Sequence, residues 1–471
     1  MPNTKIVATL GPSSDSPEVV RQLLEVGVDV FRLNASHGTF QTMAQQVQTV
    51  RAVAGEMDLH AGLLLDLQGP KIRLGTFEGG RATLNAGDRF AISTVECIGN
   101  TERASTSYAQ FATDVKAGNR VLLNDGAVEL RAVATDGVTV TFDIIHGGEI
   151  GDRKGINLPG VQVSAPSLTR KDIADLQAGL ELDLDFIALS FVRSANDVLR
   201  LRFLLDEREV KVPIIAKIEK PEACENLEAI LKETDGVMVA RGDLGIEVAL
   251  ERVPSIQKNI IRRARAAGKF VITATQMLES MVHNATPTRA EVSDIANAIY
   301  DGTDAVMLSA ETASGKFPVE AARMMDRIAA ETEADLRARG FRSLDIDSGS
   351  STADIVADAA FRAARASGAV AIVVFTTHGG SARFVSRYRP PVPVYAITPS
   401  TEAARQLSVV YGVFPLIDPA GGSTDELIAR MESMLKERKL VRAGDQVVLT
   451  SGQPIGRPGT TNMMKIHTIC A

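Results

Sequence analysis

The stretch PIIAKIEKPEACENLEAILKETDGVMVARGDLG, residues 213–245, sets an apolar run (Pro213 to Ala216), a segment of helical period and a second apolar run (Gly236 to Ala240) in succession. Short runs rich in Val, Ile and Leu, separated by amphipathic segments, are the pattern of βα units around a parallel sheet buried on both faces. Outward from this unit the alternation holds from residue 1 to about residue 335. The other strand candidates are Lys5 to Leu10, Val28 to Leu33, Ala61 to Leu65, Asp185 to Leu189, Lys269 to Thr273 and Asp304 to Leu308. Eight parallel strands, each feeding a helix, predict a closed (β/α)8 TIM barrel, an α/β architecture whose chemistry sits in the loops after the strand C-termini.

One gap breaks the rhythm. About 120 residues separate the third strand, ending near Leu65, from the fourth near Phe186, far more than an ordinary βα connection. The runs RFAIST, RVLLND, AVELRAV and VTVTFDII in this gap, punctuated by Gly, Asn and Asp, read as an inserted β domain over residues 70–165. The barrel is thereby split into residues 1–69 and 166–342. After a polar segment, Ser343 to Thr352, a helix (ADIVADAAFRAARAS) and the runs AVAIVVFTT, PVPVYAIT, GVFPLID, DQVVLTSG and MKIHTI predict a smaller αβ domain over residues 353–471.

Composition narrows the function classes. The 471 residues carry Lys+Arg 51 against Asp+Glu 58, a net charge of -7, with 45% hydrophobic residues, no Trp and 4% aromatics. Mild acidity and few stacking platforms argue against nucleic acid as a partner. Cys97, Cys224 and Cys470 are far apart with no CxxC, which argues against a disulfide framework, a zinc site or an iron–sulfur cluster and fits a reducing cytoplasm. The N-terminal MPNTKIVATLGPSSD has no apolar targeting core, and no run approaches the ~20 apolar residues of a membrane span.

Polar residues collect where the strands give way to loops: Arg32, Asn34, Ser36 and His37 at the second; Asp66, Lys71 and Arg73 at the third; Lys217 and Glu219 at the fifth. Arg241 and Asp243 follow at the sixth, Thr275 and Gln276 at the seventh, Ser309 and Glu311 at the eighth. A single Lys or Asp ending a strand is ordinarily the solvated start of a loop; six strands converging on one rim are a site. Glu219 and Asp243 are hard oxygen ligands suited to a Mg²⁺ that keeps waters and takes substrate oxygens. Lys217 places an ammonium beside them, and Arg32 and Arg73 add forked donors for phosphate. Cations gathered round one point are what phosphoryl transfer needs. ASGK at Ala313 to Lys316 lacks the first Gly of a Walker loop. The RGD at Arg241 to Asp243 follows a buried strand, which speaks against adhesion.

Taken together, RLNASHG, DLQGPKIR, KGINLPG, KIEKPE, MVARGDLGIE, ITATQMLES and PTRAEVSDIANAIYDGTDAVMLSAET resemble the pyruvate kinase family, in order and over nearly the whole chain. The resemblance implies a barrel with a β-barrel lid and a C-terminal regulatory domain, usually in a homotetramer, that moves the phosphoryl group of phosphoenolpyruvate to ADP in cytoplasmic glycolysis. It implies that Lys217 neutralises the phosphoryl group in flight and the developing enolate. Glu219 and Asp243 would hold Mg²⁺ (or Mn²⁺), and the amides of Gly242 and Asp243 with Thr275 would receive the phosphoenolpyruvate carboxylate. Arg32 and Arg73 would grip phosphates, Asn34, Ser36 and His37 would face ADP, and Lys154 would close over the nucleotide. Thr275, with Ser309 and Glu311 through water, would belong to the proton route to the enolate.

The sequence departs from many relatives at Ala35 (Phe), Ala310 (Gly), and Leu67, Gln68 and Lys71 (Thr, Lys and Glu). Many relatives hold K⁺ through residues matching Asn34, Ser36, Asp66 and the Leu67 carbonyl. Lys71 would put an ammonium there instead, so K⁺ independence is expected. In TTHGGSAR, Thr376, Thr377, His378, Gly379 and Ser381 are candidates for one phosphate of an allosteric effector. With no clear basic partner for a second phosphate, a sugar monophosphate such as ribose 5-phosphate, or AMP, is expected. The rival readings are another barrel enzyme acting on phosphoenolpyruvate or pyruvate, which needs no nucleotide lid, and a catalytically silent sugar-phosphate sensor, which would have lost Lys217, Glu219, Asp243 or Thr275.

Overall fold

The computed structural model describes residues 2–36, 38–339, 351–419, 421–454 and 459–470. His37 and most of the polar segment from Ser343 lie outside the described residues. Eight parallel strands close a barrel: Lys5–Thr9, Val30–Asn34, Gly62–Asp66, Phe186–Leu189, Ile214–Ile218, Gly236–Ala240, Phe270–Ala274 and Ala305–Leu308. Closure comes from the first strand pairing with the eighth, Lys5 opposite Ala305.

Several strands run further than the apolar pattern predicts. The second reaches Asn34, the third Asp66, the fifth Ile218 and the seventh Ala274, so Asn34, Asp66 and Lys217 lie within strands and not after them. An apolar run stops at its first charge, but the backbone ladder does not, because a charged side chain pointing into the open mouth of a barrel leaves the ladder intact.

Strand alternation explains why that mouth is polar. Val30, Leu64, Ala188, Ile215, Met238, Ile272 and Met307 share one cluster inside the barrel, while Phe31, Leu63, Leu65, Ile187, Ile214 and Ala216 pack outward with the surrounding helices. A strand repeats its face every second residue. Two residues beyond Val30, Leu64, Ala188, Ile215 and Met307 come Arg32, Asp66, Ser190, Lys217 and Ser309. One period of two thus fills the barrel below and arms its rim above.

The inserted domain takes the form of a six-stranded sheet in the order Ile156–Asn157, Arg120–Leu123, Val128–Thr135, Thr139–His146, Arg89–Ser93, Arg103–Ser105, with a ribbon of Arg81–Leu84 and Gly148–Gly151. Both wrap one core that includes Phe90, Phe111, Leu130 and Phe142. The C-terminal domain has a five-stranded sheet ordered Val413–Ile417, Val394–Thr398, Ala371–Phe375, Gln446–Gly452, Thr461–Thr468, of which the last pairs antiparallel. This domain docks under the barrel, where Phe361 and Val385 join the cluster of Phe186 and Phe270. Arg405 Nε donates to Asp185 Oδ1 at 2.6 Å across the junction. Among the described residues no helix is long and apolar enough to cross a membrane.

Candidate active site

Lys217 stands at the centre of the rim. Its Nζ donates to Ser190 Oγ at 2.8 Å and lies 3.2 Å from Asp66 Oδ1 and 3.1 Å from Glu219 Oε1. Arg32 grips the other side of Asp66, with Nε at 2.8 Å and Nη2 at 2.7 Å from Oδ2, and Nη1 donates to Thr9 Oγ1 at 3.1 Å. Burial alone would lower the Lys217 ammonium, but Asp66 and Glu219, with Asp243 beyond, more than offset it and hold the group above its ordinary value. Burial likewise works to raise Asp66, and Lys217 and Arg32 outweigh it, so that carboxyl lies below its usual range. Glu219 goes the other way: burial and the negative charge of Asp243 raise it against the pull of Lys217. One ammonium is shared by two carboxylates, and Asp66, which also has Arg32, takes the larger part.

Glu219 is therefore short of positive charge. Its Oε2 accepts the Phe191 amide at 2.6 Å, while the buried Oε1 makes no aligned hydrogen bond and has the Lys217 ammonium beside it at 3.1 Å. Asp243 sits in the first turn of the helix Arg241–Glu247, at the end of the next strand. A buried carboxylate that shares its one ammonium with Asp66 and feels a second carboxylate, Asp243, fits a hard divalent cation. Among the described residues no group of three or more His, Cys, Asp or Glu is placed to hold a metal, so Glu219 and Asp243 would supply two ligands and other oxygens the rest.

The loop after the seventh strand is strained. Thr275 and Gln276 have φ of 71° and 54°, a region that costs a β-branched residue on the order of 1–3 kcal/mol. The strain is held from several sides. Thr275 Oγ1 donates to the Ala274 carbonyl at 2.6 Å and accepts the Gly242 amide at 2.8 Å. Arg241 Nη2 holds the Thr275 carbonyl at 2.7 Å and is itself braced by Asp294, whose oxygens lie 2.6 and 2.7 Å from Nη1. Glu311, 1% exposed, accepts the amides of Leu278 at 3.0 Å and Ser309 at 2.7 Å, tying the loops after the seventh and eighth strands together.

Other predicted residues divide between rim and lid. Asn34 Oδ1 accepts the Ser36 amide at 3.0 Å, Asn34 stands in register with Asp66, and the Leu67 carbonyl accepts Ser190 Oγ at 2.7 Å. Arg73 lies on the lid side, bridged to Gly155, with Nη1 donating to the Arg153 carbonyl at 3.2 Å. Lys154 is exposed next to it. Lys71 is exposed and lines the cleft between lid and barrel together with Gly155, Phe191, Lys220 and Asp243; it forms no ion pair among the described residues.

A family model described as pyruvate kinase, barrel domain, matches residues 1–322, and a second, pyruvate kinase, alpha/beta domain, matches residues 354–467. The chain belongs to the pyruvate kinase family. It is 43% identical to a pyruvate kinase of Staphylococcus aureus (strain MRSA252), over 100% of this chain and 81% of that protein, and equally similar to its counterpart in strain NCTC 8325. A solved pyruvate kinase from Cryptosporidium parvum superposes with a TM-score of 0.93 at 35% identity, covering 99% of this chain and 96% of its own. Family membership makes the chain a glycolytic phosphotransferase acting between phosphoenolpyruvate and ADP, and a divalent metal goes with that chemistry.

In pyruvate kinase terms, the residue that sequence reasoning missed is Ser190. The fourth strand ends in no charge, so nothing in composition marked it. Its phase does: Ser190 repeats Ala188, on the barrel's inner face, and its hydroxyl joins Lys217 to the Leu67 carbonyl. In the C-terminal domain Thr376, Thr377, His378 and Ser381 line a cavity of about 380 Å³, and Gly379, at φ 79°, donates its amide to Thr376 Oγ1 at 3.0 Å. Ser451 Oγ, on the same wall, is buried without a hydrogen-bond partner.

Proposed function

We propose that the rim carries out the transfer from phosphoenolpyruvate to ADP with the following division of labour. Lys217 neutralises charge on the transferred group and on the enolate; Arg32 and Arg73 hold phosphate oxygens. Glu219 and Asp243 would hold Mg²⁺, which when bound supplies charge stabilisation and a template for substrate oxygens. The first-turn amide of Asp243 receives the substrate carboxylate, joined by the Gly242 amide and the Thr275 hydroxyl when they exchange their present bonds, to Thr275 Oγ1 and to the Ala274 carbonyl, for the ligand. Asn34, Ser36, His37 and Lys154 serve the nucleotide. Thr275, Ser309 and Glu311 belong to the proton route, Glu311 by fixing the loops that carry the other two.

The observation that carries this reading is the buried trio of Lys217, Asp66 and Glu219, in which one ammonium serves two carboxylates. Its test is a Mg²⁺ titration of Glu219→Ala and Asp243→Ala: each should need far more metal for half-maximal activity, and an unchanged titration would remove the metal assignment.

Regulation and assembly complete the proposal. The cavity lined by Thr376, Thr377, His378 and Ser381, with the unpartnered Ser451 hydroxyl in its wall, suits one phosphate of a sugar monophosphate or AMP. The working form is a cytoplasmic homotetramer that does not require K⁺, because Lys71 supplies the monovalent charge.

A further inference from the structure

Where the C-terminal domain docks under the barrel, at the end away from Lys217, the junction is rich in arginine. Arg389 is matched by Asp304 at 2.9 Å and Arg387 by Asp354 at 2.7 Å. Arg265, in the last turn of the helix Val253–Ala266, and Arg383, in the helix Gly380–Ser386, have no carboxylate partner among the described residues. Arg265 is 3% exposed; its guanidinium makes one hydrogen bond, from Nη2 to the Arg387 carbonyl at 3.1 Å, and its Nε makes none. The Nε atoms of Arg387 and Arg389 are also buried and unpartnered.

These four arginines and Lys269 surround one cavity of about 10 Å³. The carboxylate in its wall, Asp304, is already engaged on both oxygens: Oδ1 accepts from Arg389 and from the Tyr411 amide at 3.2 Å, and Oδ2 accepts the Val271 amide at 2.9 Å. Asp235, the next acid along, is held by Arg202 at 2.8 Å. Lys269 spends a donor on the Thr234 carbonyl at 2.6 Å. Burial, then Arg389, pulls Arg265 down to about 9, so it is still a cation at neutral pH. Buried cations in excess of their acids are costly unless a counter-charge joins them.

We propose that this cavity is a binding site for one small monoatomic anion, with chloride as the ligand. The volume is that of about one water-sized particle, which excludes sugar phosphates and nucleotides. The cations come from both sides of the junction, Arg265 and Lys269 from the barrel and Arg383, Arg387 and Arg389 from the C-terminal domain. Bound chloride therefore ties the two together, next to the start of the strand Phe270–Ala274 that leads to Thr275.

A ligand that binds the folded state alone raises its melting temperature. The full chain in sodium chloride should show a saturable rise in Tm over sodium gluconate at equal ionic strength, and Arg265→Gln should lose that rise. Crystals soaked in bromide should give an anomalous peak beside Arg265. Equal Tm in the two salts, an undiminished rise in Arg265→Gln, or a cavity without bromide overturns the site. Should Arg265→Gln fail to fold, Arg383→Gln, at a half-buried position, must lose the rise instead, and retention there overturns it equally. Sulfate matching chloride would overturn the monoatomic assignment.

Discussion

Lys217 shows how much one residue concentrates in this site. Its ammonium is buried, shared by Asp66 and Glu219 and steadied by Ser190. On the role proposed for it, replacement by Met removes a charge that counts most in the transition state, so kcat should fall by ~10²–10³-fold, the usual loss for one preorganised electrostatic stabiliser. The fold should survive, since Arg32 still covers Asp66; steady-state kinetics with a thermal melt on the same sample check both parts, and a near wild-type rate would remove the assignment. Lys71 carries the second residue-scale prediction. If its ammonium occupies the place of a monovalent ion, a K⁺ added ~4 Å away would be repelled by about 4 kcal/mol at an effective dielectric of ~20. Activity in tetramethylammonium buffer without K⁺ should be full, and Lys71→Glu should lose activity there and recover part of it on adding K⁺. An absolute K⁺ requirement in the unaltered chain would defeat the idea.

At the scale of elements, rigid strands deliver side chains and strained or short segments finish the site. The seventh strand ends in left-handed Thr275 because Arg241, Gly242 and Glu311 hold that loop from three directions. The turn Thr376 to Ser381 of the C-terminal domain uses a glycine instead, Gly379 at φ 79° carrying the chain from strand to helix without strain. A carboxylate placed there by Thr377→Glu meets the proposed phosphate with like charge. Activation by ribose 5-phosphate or AMP, read as a fall in the apparent KM for phosphoenolpyruvate, should disappear while basal activity stays. Persistence of activation would move the effector elsewhere.

For the whole molecule, the barrel and the C-terminal domain are joined at the base of the barrel. Arg389 Nη1 pairs with Asp304 Oδ1 at 2.9 Å, and both side chains are almost fully buried. Arg389→Met breaks a buried, hydrogen-bonded ion pair, a loss on the order of 3–5 kcal/mol. Chemical denaturation should show the midpoint falling accordingly, and a change within error of zero would mean that the junction is softer than its geometry.

The order of the elements was legible in the sequence because parallel strands buried on both faces must be apolar throughout, and a lid inserted between two of them leaves a gap no loop can fill. That Lys217, Glu219, Asp243 and Thr275 stand at the strand ends of one rim was legible as well, because polar groups recur at the ends of six strands and not at one; the roles proposed for them await the variants above. Ser190 was not legible, nor the strand ends at Asn34, Asp66 and Ile218, because burial of a rim side chain depends on the barrel having closed. The pairing of Lys217 with both Asp66 and Glu219, the bracing of Thr275 by Arg241, and the unmatched Arg265 beneath the barrel join residues far apart in the chain. Local pattern determines which face a side chain takes; which charges must then share one dry space is decided only when the barrel, lid and C-terminal domain are packed.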